Sequence, residues 1–177
     1  GSLGMNLPAP PAPLAADRPD GLLRRIPAFC AGCPHATSTR LPDGSFASAG
    51  IVCHFMAMDD SEQTRTFTHM GGEGAPFVGL SNFTDVQHMF ANIGDGTYQH
   101  SGMLAIRQAV AAGTRITYKL LFNDAVAMTG GQPAEGSPTV PMLAAQVAAE
   151  GIKRIAVVAD EASRLPPVNE LPPGVTR

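Results

Sequence analysis

Asp95 and Asn123 are the pair of residues whose types and setting could do chemistry together. Asp95 stands in a Gly94-Asp95-Gly96 turn straight after an apolar run, Met89-Phe-Ala-Asn-Ile93. Asn123 closes a second apolar run, Ile116-Thr-Tyr-Lys-Leu-Leu-Phe122. A carboxylate and an amide oxygen make a hard-oxygen pair suited to Mg²⁺, an ion that takes one or two protein ligands and fills its shell with phosphate and water. Gly94 and Gly96 let backbone come close to a phosphate, and a helix after the turn would aim its first N–H groups at it. Thr97 and the N–H groups after Gly96 would hold phosphate oxygens. His100 and Ser101 can cap that helix or reach the same phosphates. Taken alone, the two key residues also suit a plain Asp-Gly turn and an Asn helix cap.

Three further stretches set reactive side chains among glycines: Phe29-Cys-Ala-Gly-Cys-Pro-His35, Thr68-His-Met-Gly-Gly-Glu-Gly74, and Asn123-Asp-Ala-Val-Ala-Met-Thr-Gly-Gly-Gln132. The chain has three cysteines, Cys30, Cys33 and Cys53. Thiolates hold iron–sulfur clusters, which normally need four of them. With His35 or His54 the three would instead make a Cys₃His zinc set. Buried free thiols are the third option. His69, Glu73 and His54 are the catalytic candidates: His69 as a proton carrier, Glu73 as a contact to substrate or cofactor, and His54, next to Cys53, as part of a cofactor pocket. A hydrogen-bonded loop histidine and a solvated loop carboxylate are the plain readings of His69 and Glu73. His88 reads as structural. Phe55, Phe67, Phe77 and Phe83 could line an aryl pocket or fill a core.

These groups need elements to position them. Strand, glycine turn, helix and strand follow one another through residues 89–122. In parallel α/β sheets the ligand crevice lies beyond the carboxyl ends of the strands, where Asp95 and Asn123 would both stand. Met103, Leu104, Ile106 and Val110 give the segment Ser101–Ala112 a helical apolar spacing, and Gly113 stops it. Val140–Ala149 reads as a second helix and Ile152–Val158 as a further strand. Ala49–His54 reads as a short buried strand ending on its polar pair, 57–67 and 68–74 as loops, and 127–138 as a long glycine-rich loop. Cys30–Arg40 reads as a turn and one short helix with Thr37, Ser38 and Thr39 near its start. The repeating order predicts an α/β fold, a mostly parallel sheet with helices on both faces.

Residues 1–24 form a Pro/Ala-rich linker or tail, 25–163 the domain, and 164–177 a Pro-rich tail. Apolar residues make up 44% and charged residues only 15%, against a usual charged share of about 25%. So few charges suit either a surface hidden against another domain or subunit, or a compact Gly- and Ala-rich enzyme. The net charge of −3 gives no basic footprint for nucleic acid. No apolar run reaches membrane-spanning length. Cys-x-x-Cys suits a reducing, cytoplasmic setting rather than a disulfide framework.

Gly94-Asp95-Gly96 followed by Asn123 resembles the thiamine diphosphate signature. With the three glycine-bearing stretches in this order, residues 25 to 160 resemble the thiamine-diphosphate domain of the indolepyruvate ferredoxin oxidoreductases, within the 2-oxoacid:ferredoxin oxidoreductases. The resemblance implies a thiamine-diphosphate-binding fold with Mg²⁺ held by Asp95, Asn123 and the backbone carbonyl of Ala125. Gly94, Gly96, Thr97, His100 and Thr129 would line the cofactor, Met128 would pack near it, and Cys53 and His54 would border its pocket. The 68–74 loop would lie over the reactive thiazolium. Cys30, Cys33 and Cys53 would be three ligands of a [4Fe–4S] site whose fourth lies outside these residues. The reaction implied is oxidative decarboxylation of an arylpyruvate, with coenzyme A taking the acyl group and ferredoxin the electrons. A separate pyrimidine-binding domain of the same enzyme would supply the Glu that activates the cofactor, and the assembly would be a homo-oligomer. The rival is a cluster- or zinc-bearing interaction domain on a thiamine-type scaffold that no longer catalyses.

Overall fold

The computed structural model describes residues 27–60 and 62–177. The linker assigned to residues 1–24 lies outside the described residues.

Four strands form one all-parallel sheet: β1 (Ala47–Ala49), β2 (Thr64–Phe67), β3 (Met89–Gly94) and β4 (Ile116–Leu121), in the order β2-β1-β3-β4. The helices, in chain order, are α1 (Pro34–Ser38), α2 (Ala57–Asp60), α3 (Ala75–Leu80), α4 (Asp95–Thr97), α5 (Met103–Ala111) and α6 (Val140–Ala149). A π-helical turn, Tyr98–Gly102, joins α4 to α5, so one helical run leaves the Gly94-Asp-Gly96 turn. This is the α/β class that the strand–helix alternation predicts.

The apolar residues decide the layers. Along β3, Met89, Ala91 and Ile93 share one face by the two-residue period of a strand. That face packs on Phe77 of α3, Ile106 of α5 and Leu143 of α6. Phe90 and Asn92 turn to the opposite face, with Lys119 of β4 paired to Asn92. Lys119 Nζ lies 5.2 Å from the Phe90 ring and donates to the carbonyls of Ser38 (2.8 Å) and Arg40 (2.7 Å). Those carbonyls are at the end of α1, so α1 covers this second face. Helices thus flank both faces.

Several local expectations need correction. Ala49–His54 is not a strand: β1 ends at Ala49, and Cys53–Met56 is a 3₁₀ turn. Gly50 interrupts the run, and its N–H turns to His54 Nε2 at 2.8 Å instead of pairing in the sheet. The polar stretch 57–67 holds α2 and the edge strand β2, whose exposed residues disguise it as loop. Thr37 and Ser38 end α1 rather than start it, because Pro34 sits in its first turn, where no N–H is needed. Ile152–Val158 has strand composition but, among the described residues, makes one isolated parallel bridge, Ala156 to Thr176, and Val158 is 87% exposed. Extended apolar sequence becomes ladder only where a neighbouring strand supplies partners. Val140–Ala149 is helical as expected; Thr139 caps it by accepting from Met142 N at 3.4 Å. Among the described residues, no helix is long and apolar enough to cross a membrane.

Candidate functional site

The carboxyl ends of β1, β3 and β4 bring the sequence-nominated residues to one edge of the sheet. Asp95 begins α4 directly after β3 and is 3% exposed. Its Oδ1 accepts from Gly96 N at 2.8 Å. Its Oδ2 accepts from Asn123 N at 2.9 Å and from Asp124 N at 2.7 Å. Three backbone donors thus converge on one buried carboxylate. They also weld the turn after β3 to the turn after β4. Asp124 takes the left-handed conformation there, φ 54°, which Asp tolerates better than most residues.

The Asn123 carboxamide is held at both ends. Oδ1 accepts from Ala125 N at 3.1 Å, and Nδ2 lies 3.4 Å from His35 Nε2. His35 is the buried residue of α1. Burial lowers its pKa, opposed in part by the nearby Asp95 carboxylate. Thr97 is buried, and its hydroxyl has no protein partner. Val126 passes 3.6 Å from where a Cβ of Gly96 would lie, so the loop after Asn123 closes over the glycine turn. Val126 N donates to Gln132 O at 2.8 Å, closing that loop. Met128 and Thr129 sit on its exposed rim, and Thr129 Oγ1 accepts from Gln132 Nε2 at 3.4 Å.

The thiols gather on the α1 side. Cys33 is the N-cap of α1, and its N–H donates to Cys30 O at 3.0 Å. Cys53 opens the 3₁₀ turn beside it. Burial pushes the Cys53 thiol up, and the neighbouring Cys33 and Cys30 push it the same way. All three are free thiols, Cys30 the most exposed. Among the described residues, no three His, Cys, Asp or Glu side chains stand in metal-ligating geometry. His54 is 1% exposed, and burial, with His35 nearby, brings its pKa down to about 3. It is a neutral acceptor for Gly50 N at ordinary pH.

Glu73 is the surprise of the glycine loop. Its plain reading is a solvated carboxylate, yet it is 0% exposed. Oε2 accepts from Gly71 N at 2.8 Å, while Oε1 has no partner. Burial raises its pKa, against the pull of its hydrogen bonds and of His69. A Cβ at Gly50 would collide with this carboxyl group, so Gly50 is the space in which Glu73 lies. Tyr118, which sequence reasoning missed, donates to the carbonyl of Glu73 at 3.2 Å or of Ala105 at 3.3 Å. It pins the loop to β4 and α5. Gly71 packs against Ser101, whose hydroxyl lies 2.7 Å from His100 Nδ1. The loop therefore rests on the π-helical turn after Asp95. His69 is exposed and lies 3.4 Å from Thr68 Oγ1.

The aromatic candidates divide. Phe77 belongs to the core, Phe55 and Phe67 meet edge to face at 5.1 Å, and Phe83 is 86% exposed. No common aryl pocket gathers them. His88 bonds Thr117 Oγ1 at 2.8 Å, away from the carboxyl edge, in keeping with a structural role.

Comparison with known proteins matches the same region. The family model described as thiamine pyrophosphate enzyme, C-terminal TPP binding domain, matches residues 47–163. The indolepyruvate oxidoreductase subunit IorA of Methanothermobacter marburgensis is 31% identical over 129 residues, 66% of this chain and 21% of that protein. The protein of the same name from Methanothermobacter thermautotrophicus is 30% identical over 142 residues, 73% of this chain and 23% of that protein. The one from Thermococcus kodakarensis is 28% identical over 136 residues, 66% and 21% of the two chains. The chain thus spans about a fifth of the length of the curated relatives it matches. No solved structure matches. With the Gly94-Asp-Gly96 turn and Asn123 meeting at the end of a parallel sheet, this chain belongs to the family of C-terminal TPP-binding domains of thiamine pyrophosphate enzymes.

Proposed function

We propose that this chain is the thiamine-diphosphate and Mg²⁺ domain of an oxidoreductase that oxidatively decarboxylates an arylpyruvate such as indolepyruvate. The observation that carries this reading is the junction of Asp95 with the Asn123-Asp124 backbone at the carboxyl edge of the sheet. The residues there fit the group. A carboxylate, an amide oxygen and the backbone carbonyl of a tight turn suit a hydrated divalent cation. The buried Thr97 hydroxyl, still without a partner, suits an added phosphate oxygen.

In this reading Asp95, Asn123 and the carbonyl of Ala125 hold the metal. Gly94, Gly96, Thr97 and Thr129 line the diphosphate, with His100 and Ser101 at the next helical turn. Met128 and His54 border the pocket. Bound thiamine diphosphate supplies an ylid and an electron sink for loss of carbon dioxide from a 2-oxo acid. The chain's own work is to fix the diphosphate, hold the Asp95 carboxylate in place through three backbone N–H groups, and fasten the Thr68–Gly74 loop over the edge through Glu73 and Tyr118. Cys30, Cys33 and Cys53 do not stand in metal-ligating geometry here; as three thiolates of a [4Fe–4S] site they would need rearrangement and a fourth ligand in the intact protein, with ferredoxin as the electron acceptor and coenzyme A as the acyl acceptor of this reaction class. The names of the relatives support the indolepyruvate class of substrate.

The Glu that activates the cofactor belongs to a separate pyrimidine-binding domain, so these residues alone are catalytically inert and bind cofactor weakly. The test is anaerobic assay of the intact protein with indolepyruvate, phenylpyruvate and branched 2-oxo acids, coenzyme A and ferredoxin, beside iron and acid-labile sulfide analysis. Ferredoxin reduction strongest with arylpyruvates, with cluster iron present, supports the reading. Turnover of none of these acids, or an iron-free active protein, contradicts the substrate or the cluster part of it.

A further inference from the structure

The geometry points to His35 as the side chain that, together with the Ala125 N–H, decides which end of the Asn123 carboxamide meets a cation. This rests on the metal reading proposed above. A carboxamide is nearly symmetric in shape, and only its oxygen can ligate Mg²⁺. A metal site built on Asn therefore needs a device that keeps the amide from turning over.

Two contacts supply it. Ala125 N is a donor, so the atom facing it at 3.1 Å must be the oxygen. The atom 3.4 Å from His35 Nε2 is then the NH₂ group, and that ring nitrogen must be the acceptor. A flipped amide would set NH₂ against the Ala125 N–H and leave one of two donors without an acceptor. Oδ1 keeps a second lone pair after taking the Ala125 N–H, which leaves it free for a cation. His35 comes from 88 residues upstream, so a tertiary contact fixes the NH₂ end while the local Ala125 N–H holds the oxygen end. Its ring is 9% exposed, on a helix whose far end Lys119 ties to β4, so it has little room to move. Cys33 is the N-cap of the same helix, so one short element joins a thiol to the group that orients Asn123.

His35 is thus a positioning residue, and its test is titration calorimetry of the intact protein with Mg²⁺ and thiamine diphosphate. His35→Phe keeps a ring in place but accepts nothing. It is expected to weaken Mg²⁺-dependent binding about tenfold or more while the melting temperature moves little. His35→Gln, whose amide oxygen can accept in place of Nε2, is expected to recover most of that loss. Asn123→Asp has two oxygens and no wrong end. In that background His35→Gln and His35→Phe should bind within about threefold of each other. This cycle stands even where His35→Phe alone folds poorly. Binding by His35→Phe equal to wild type, while Asp95→Ala loses it, overturns the inference and leaves the metal reading intact. Equal binding by both variants overturns the metal reading, and the role of His35 with it.

Discussion

Asp95 Oδ2 accepts the backbone N–H of Asn123 at 2.9 Å across 28 intervening steps of chain, so two strand ends are fastened at one buried carboxylate. The same oxygen also takes the Asp124 N–H. Asp95 is therefore structural before any ligand arrives. Asp95→Ala strips three backbone donors of their acceptor and should cost about 3 kcal/mol, given about 1–3 kcal/mol for each buried group left unpaired and partial relaxation of the turn. Asp95→Asn keeps one acceptor oxygen and should cost less. Urea denaturation of the two variants beside wild type checks the order; equal stability of all three contradicts it.

Glu73 gives a pH signature with a definite sign. Burial raises its folded-state pKa above the unfolded value. The folded state therefore holds the proton longer as pH rises. Stability from this group is fully present below the unfolded pKa and is lost as pH climbs through the raised one. Glu73→Gln, neutral at every pH, should match wild type near pH 4 and exceed it near pH 8. Denaturation at the two pH values measures this; a variant less stable at pH 8 than wild type contradicts a raised pKa for buried Glu73.

Gly50 and Glu73 should be coupled. A Cβ at Gly50 would meet the Glu73 carboxyl and its Cγ. Gly50→Ala should destabilise by about 1–3 kcal/mol, the usual cost of overpacking. In a Glu73→Ala background most of that cost should vanish, because the colliding atoms are gone. A double-mutant cycle by thermal denaturation reads the coupling, and additive effects contradict the contact.

Lys119 should control α1. Its ammonium serves the carbonyls of Ser38 and Arg40, and burial lowers its pKa. Lys119→Met keeps the stem and removes the donors, at a cost of about 1–3 kcal/mol. Because Cys33 is the N-cap of α1, the loosened helix should also raise the reaction rate of the thiols with a disulfide reagent. An unchanged thiol rate with lowered stability contradicts the link between Lys119 and the cysteine turn.

The part of the fold legible in the sequence is the part where local signals agree. The apolar run to Ile93, the glycine turn, the helical spacing through Val110 and the run to Leu121 all point one way, and β3, the helix after it and β4 appear there. β2 was hidden because an edge strand such as Thr64-Arg-Thr-Phe67 needs no continuous apolar face. Ile152–Val158 carries the composition of a strand, but pairing depends on a neighbour that composition does not reveal. In the site, Asp95 and Asn123 were readable from type and spacing. The burial of Glu73 and the reach of His35 to Asn123 were not, since both arise from contacts between elements far apart in the chain. The Cys-x-x-Cys-Pro-His35 motif was the one hint that His35 mattered.

The central claim is that Asp95 and Asn123 hold one divalent cation and, through it, a diphosphate. Calorimetric titration of thiamine diphosphate in the presence of Mg²⁺ tests it most directly, using the intact protein as wild type, Asp95→Ala and Asn123→Ala. The account predicts saturable, Mg²⁺-dependent binding by wild type and a loss of at least about tenfold in each variant. Unchanged affinity in both variants would contradict it.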